Sequence, residues 1–191
     1  MSGTLEKLPP GHVGAVVTYL EMTERPDAPV APPSPLRLER WAHVDPTRYR
    51  ALFRRVGARW LWFSRLAMSD AQLLEKAGEV HEVLDEDGAS VGMVELDARG
   101  DTCMILFLGL VPELAGRGHG GWLFAETLRL AWAPAVERVR VHTCTLDHPA
   151  ALPAYLKAGF TAAGRAFESF PDPRLAGLLP RDCAPQLPLL T

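Results

Sequence analysis

The segment 103–132 constrains the fold more than any other part of the chain. A continuous apolar run from Cys103 to Val111 is too short to cross a bilayer and too free of polar residues to alternate, so it reads as a buried strand. Pro112 cannot donate to a sheet ladder and ends it. Gly116, Gly118, Gly120 and Gly121 follow, and the apolar stretch after them, free of Pro up to Pro134, predicts a helix over 119–132. A helix start leaves its first N–H groups unpaired and carries the positive end of the helix dipole. Without Cβ atoms the glycines let a phosphate reach those amides, and Arg117 adds a charged donor. Strand, glycine loop and helix in that order make an anion site.

Two nucleotide readings compete for it. Gly116-x-Gly118-x-x-Gly121 formally satisfies a dinucleotide fingerprint, but the next strand, expected over 139–145, lacks an acid at its end to hold a ribose. Asp147 lies too far on, and Glu137 precedes the strand. No Gly-Lys-Ser/Thr ending follows the loop, which argues against NTP hydrolysis.

The pattern Leu110-x-Pro112-x-x-x-Gly116-Arg117-Gly118-His119-Gly120, with Leu123 after it, resembles the acetyl-CoA-binding motif of the GNAT superfamily of N-acetyltransferases. Ala115 departs from it, because Gln or Arg is usual there. A second motif, His148-x-x-Ala151-x-x-x-Tyr155-x-x-x-Gly159-Phe160, resembles the family's Asn-x-x-Ala-x-x-x-Tyr-x-x-x-Gly-Phe, with His148 in the Asn position. Pro153 removes an amide from this short helix, so the helix starts near Ala150 with Pro153 in its first turn, or the turn is distorted. Gly159 suits the position after a helix end, and a further strand is expected over 160–170.

The resemblance implies an α/β fold with a mixed, mostly antiparallel central sheet, helices on both faces, and a splayed strand pair that holds CoA. It implies acetyl-CoA as cosubstrate, bound by Leu108, Gly109, Leu110, Gly116, Arg117, Gly118, His119, Gly120, Gly121, His148 and Tyr155. The Leu110 amide would face the thioester oxygen, an oxyanion-type contact. A departing thiolate needs a proton, its conjugate acid has a pKa of about 8.5, and a phenol such as Tyr155 can supply one. The base is less defined: Thr143 stands where many relatives carry Glu, and Glu95 and His142 are the candidates, either acting through water.

The remaining chain frames this site. A β-branched run over 14–22 predicts the first strand, and five prolines over 25–35 a surface loop. Residues 36–41 alternate as an edge strand or continue the first. Asp45-Pro46 starts a helix with Tyr49, Leu52, Phe53 and Val56 on one face and Gly57 as its stop. Ser69 caps a second helix over 70–77. Strands over 79–85 and 91–97, joined through Glu86-Asp87-Gly88-Ala89, then turn at Arg99-Gly100-Asp101 into the organising strand, giving an antiparallel meander. The aromatic cluster Trp60, Trp62 and Phe63 fills core or, by the resemblance, walls an acceptor pocket.

At 191 residues with 48% hydrophobic content, the chain reads as one domain over 1–191, with its cofactor core at about 91–160 and a Pro-rich tail over 171–191 that wraps the domain or meets a partner. A net charge of −3 gives no basis for a nucleic-acid or membrane partner. Three cysteines imply no disulfide framework, and 1–12 has no apolar leader, so a cytoplasmic protein, monomer or homodimer, is expected. His142-x-Cys144-x-x-x-His148 with Asp147 lacks a second ligand pair at zinc spacing, so no metal is expected. The expected function is acetyl transfer from acetyl-CoA to a primary amine of a small molecule or peptide. The alternative is an idle acyl-CoA-binding or sensing module.

Overall fold

The computed structural model describes residues 3, 5–27 and 31–190, so residues 28–30 of the Pro-rich loop lie outside the described residues. The strands are β1 (His12–Met22), β2 (Arg37–Arg40), β3 (Glu79–Leu84), β4 (Ser90–Arg99), β5 (Thr102–Leu110), β6 (Arg138–Cys144) and β7 (Thr161–Pro171). The helices are α1 (Pro46–Gly57), α2 (Asp70–Lys76), α3 (His119–Ala131) and α4 (Ala151–Lys157). One seven-stranded sheet runs β2-β3-β4-β5-β6-β1-β7, antiparallel except for the β5–β6 pair.

Local chemistry accounts for the element ends. The Asp45 carboxylate accepts from the Arg48 amide at 2.7 Å, with Pro46 at the first position of α1. Ser69 and Gln72 form a reciprocal capping box on α2. The β3–β4 hairpin turns on Gly88 at φ +80°, while the Asp85 carboxylate accepts from the Asp87 and Ala89 amides. Pro153 falls in the first turn of α4, and Gly159 at φ +101° follows that helix.

Residues Val91 to Leu96 of β4 are buried without alternation, the mark of a strand covered on both faces. Helix α1 covers one face, setting Tyr49 on Glu95 and the Phe53 ring 4.7 Å from that of Phe107. Helix α3 covers the other with Trp122, Leu123, Leu128 and Ala131. Residues 37–40 form the edge strand β2, paired with β3 and remote from β1.

One feature departs from the sequence reading. Strand β5 is fully buried only at Cys103 and Ile105, and Leu106 to Leu110 are half-exposed. The reason is the partner: β6 pairs with β5 only as far as Ile105 opposite Val141, then continues along β1. Strand β1, whose neighbours the sequence leaves open, is inserted between β6 and β7 and paired antiparallel with both.

The tail folds back on the domain. Arg174, buried, ion-pairs with buried Asp172 at 2.7 Å and donates to the carbonyls of Cys183 and Leu187, while Leu179 and Ala184 enter the core. Gln186 donates to the Arg59 carbonyl at 3.0 Å, tying the tail to the aromatic segment.

Candidate functional site

The gap beyond Ile105 and Val141 is the site's frame. On β5, Val111 donates to the Val91 carbonyl at 2.9 Å while Leu110 stands opposite Gly92. Successive amides of a strand point to opposite edges, so the Leu110 and Leu108 amides face away from β4, into the gap. An extended chain laid there finds main-chain partners ready.

The gap ends at the glycine loop. After a 3₁₀ turn over Pro112–Leu114, Gly116 at φ +75° and Gly118 at φ +85° take left-handed backbone that other residues adopt at a cost. Gly118 caps α3 with no side-chain acceptor, leaving the first amides of the 13-residue helix open. A Cβ placed on Gly116, Gly118 or Gly120 would meet nothing within 4 Å. The Pro-rich segment is more than a surface loop: Ser34 Oγ lies 3.0 Å from His119 Nδ1, and Pro32 reaches Gly121. An uncapped helix start, open space over three glycines and Arg117 alongside fit a pyrophosphate.

Tyr155 is buried on α4 between Phe124 and Phe160, with ring centroids at 5.4 and 5.7 Å. Burial, and then the charge of nearby Asp147, push its phenol well above the usual tyrosine range, so it stays protonated at neutral pH. Among the described residues its hydroxyl has no hydrogen-bond partner. Asp147 follows β6. Its Oδ2 accepts from Thr143 Oγ1 at 2.7 Å and the Cys144 amide at 2.9 Å, and its Oδ1 lies 3.5 Å from Trp62 Nε1.

A family model for the acetyltransferase (GNAT) family matches residues 37–160, more than half of the chain. The chain belongs to the GNAT family. This family transfers acyl groups from acyl-CoA. Solved structures share the fold. A GNAT protein from Novosphingobium aromaticivorans is 17% identical, with a TM-score of 0.58 over 86% of this chain and 68% of its own. An N-acetyltransferase of the family from Sphaerobacter thermophilus is 17% identical, with a TM-score of 0.57 over 85% of this chain and 52% of its own. One from Kribbella flavida is 15% identical, with a TM-score of 0.52 over 87% and 63%. The chain thus spans between about half and two thirds of the length of these structures. No curated protein matches it.

In this GNAT domain the three aromatics of segment 59–65 diverge. Trp62 crosses the gap's mouth: its ring lies 3.3 Å from where a Cβ of Gly109 would stand, and its N–H faces Asp147. Gly57 makes room beneath it, since a Cβ there would lie 2.4 Å from the Trp62 side chain. The Trp60 ring meets His148 edge-on at 5.2 Å, and Phe63 turns the other way, onto Phe170 of β7 at 4.7 Å. His148 Nδ1 accepts from the Ala150 amide at 3.1 Å and so shapes the entry to α4.

Glu95 is fully buried, and three donors fill its carboxylate: Arg65 at 2.7 Å, the Gly78 amide at 3.0 Å and the Tyr49 hydroxyl. Burial, then the Glu95 charge, keep the Tyr49 phenol protonated, and the Arg65 guanidinium also lies over Phe107, 5.3 Å from its centroid. His142 is exposed on β6 beside Tyr19. The carboxylate near Tyr155 is instead Asp147, which motif reading set aside. Its signal was the spacing Thr143-x-x-x-Asp147, an acid four residues past the strand position where relatives carry Glu, reaching back across a turn. Among the described residues no group of three or more metal-ligating side chains gathers, and no helix is long and apolar enough to cross a membrane.

Proposed function

We propose that the protein transfers an acetyl group from acetyl-CoA to a primary amine by direct attack. The observation that carries the reading is the half-open strand gap beside Leu108 and Leu110 that runs onto an uncapped, glycine-lined helix start. Gly116, Arg117, Gly118, His119, Gly120 and Gly121 hold the pyrophosphate, and Leu108, Gly109 and Leu110 offer their main chain to the pantetheine arm. When bound, acetyl-CoA supplies an activated thioester. The Leu110 amide donates a hydrogen bond to the thioester carbonyl oxygen as negative charge develops there. Tyr155, protonated at neutral pH, gives its proton to the departing sulfur. Trp60 and Trp62 wall the acceptor side, Phe63 anchors the segment that carries them to Phe170 of β7, and His148 holds the start of α4 against Trp60. Glu95 contributes as a positioning residue, steadying Arg65 and Phe107 beneath Trp62. An acceptor bound as an ammonium first loses a proton to water; the neutral amine then attacks, the C–S bond breaks, and the remaining surplus nitrogen proton leaves to water, from which Tyr155 is reprotonated.

The test is release of free thiol from acetyl-CoA across a panel of primary amines, with Tyr155→Phe as control. Turnover that falls about 100-fold in the variant at unchanged CoA affinity supports the reading. Equal turnover in both proteins overturns Tyr155 as the acid. A second reading, a non-catalytic acyl-CoA-binding module, is favoured by the fully engaged Glu95 carboxylate. Tight CoA binding with no turnover on any amine would select it.

A further inference from the structure

The geometry points to Asp147 and Trp62 as a recognition site for a cationic amine carried on a compact apolar or aromatic body. Asp147 sits where β5 and β6 have parted. One carboxylate oxygen is fixed by Thr143 and the Cys144 amide, and the other has only the Trp62 N–H at the limit of hydrogen bonding, so it retains accepting capacity toward the gap. The fixed oxygen holds the group in one orientation. Its residue is half-buried, deep enough to weaken screening and open enough to admit a ligand.

Trp62 supplies the second half. It is half-buried, seated over Gly57 and Gly109, and held by the tilted rings of Phe53 and Phe107 at 5.5 and 5.2 Å. An indole is the aromatic ring that binds cations best, and its apolar surface covers the body that carries the charge. Trp60, beside His148, extends the same wall. Neither flanking base competes for the carboxylate: Arg59 lies over the Trp60 ring at 5.7 Å, and Arg65 is buried against Glu95. An acceptor bearing a carboxylate or phosphate near its amine would meet Asp147 head-on and is disfavoured by like charge.

This assignment rests on the acetyl-transfer reading only for what the gap is for, so its test is a binding measurement. Benzylammonium and the isosteric neutral benzyl alcohol are titrated by calorimetry into protein saturated with CoA, for the wild type and for Asp147→Asn. The expected result is that the wild type binds benzylammonium at least tenfold more tightly than benzyl alcohol, and that Asp147→Asn abolishes the difference. CoA affinity of the variant, measured alongside, should stay within about twofold and shows the fold to be intact. Trp62→Leu, a second variant, should weaken both ligands together. A wild type that does not distinguish the two ligands, or an Asn variant that still does, overturns the assignment. Failure to acetylate benzylamine while the binding difference holds would instead count against the acetyl-transfer reading and leave the recognition site standing.

Discussion

The two sides of β5 treat polar groups in opposite ways. Toward β4 and α1, the Glu95 carboxylate takes hydrogen bonds from Arg65, Gly78 and Tyr49 in a fully buried place. Toward β6 and α3, the Leu108 and Leu110 amides lose their strand partner, and the helix start at Gly118 has no side-chain cap. A buried polar group left unpaired is costly, so a fold leaves main chain open only where something else completes it. The comparison teaches that charge alone does not mark a site here. In the buried Glu95–Arg65 cluster the carboxylate is fully engaged, and the candidate chemistry lies where the donors are free.

Breaking the satisfied side should have the largest effect on the fold. Glu95→Gln strands the buried Arg65 guanidinium and should cost about 3–5 kcal/mol, read as a lowered urea midpoint at unchanged slope. A loss under about 1 kcal/mol would show that the cluster does not hold the core. On the open side, Tyr155→Phe should lower kcat about 100-fold, about 2.7 kcal/mol of barrier, with the CoA dissociation constant unmoved. Gly118→Ala forces an alanine to φ +85° and should weaken CoA binding about tenfold, near 1.4 kcal/mol, while a Gly164→Ala control in open space on β7 leaves it unchanged.

The smallest effect belongs to the tail. Burial opposes ionisation of Asp172, yet the Arg174 side chain and amide more than offset it and hold the carboxyl below the usual range. A carboxyl with a depressed folded pKa gives stability that is fully present above its unfolded pKa of about 3.9 and is lost as pH falls through the lower folded value. Acidification from pH 5 to pH 3 should therefore destabilise the protein more than Asp172→Asn, compared by denaturant unfolding at both pH values.

Much of the framework was legible because it depends on neighbours in sequence. Asp45-Pro46 and the Ser69–Gln72 box start their helices by contacts three residues apart, and Gly118 and Gly159 stand where only glycine is comfortable. What was not legible depends on distant partners. Leu106 to Leu110 look like core because apolar residues beside a ligand gap carry the same side chains as residues beside a strand. Nothing in the β-branched run of β1 names β6 and β7 as its neighbours. Glu95 read as a base because its type fits the task, and only the three donors around it reveal its occupation. Asp147 escaped because, although its bond to Thr143 is local, its contact with Trp62 joins a turn to a segment 85 residues earlier in the chain.

The position of β1 sets an order of assembly. Val17 pairs with Cys144, and the strand that supplies Cys144 leaves the ribosome roughly ten seconds after β1 at ordinary rates of synthesis. The meander β3-β4-β5 can form in that interval from contacts between successive strands, whereas β1, with Val13, Ala15, Val17 and Leu20 bound for the core, has no partner until β6 emerges. The far wall of the gap is thus among the last parts to be completed. A nascent chain carries an unpaired apolar strand until β6 emerges, and the gap beside β5 takes its shape only then.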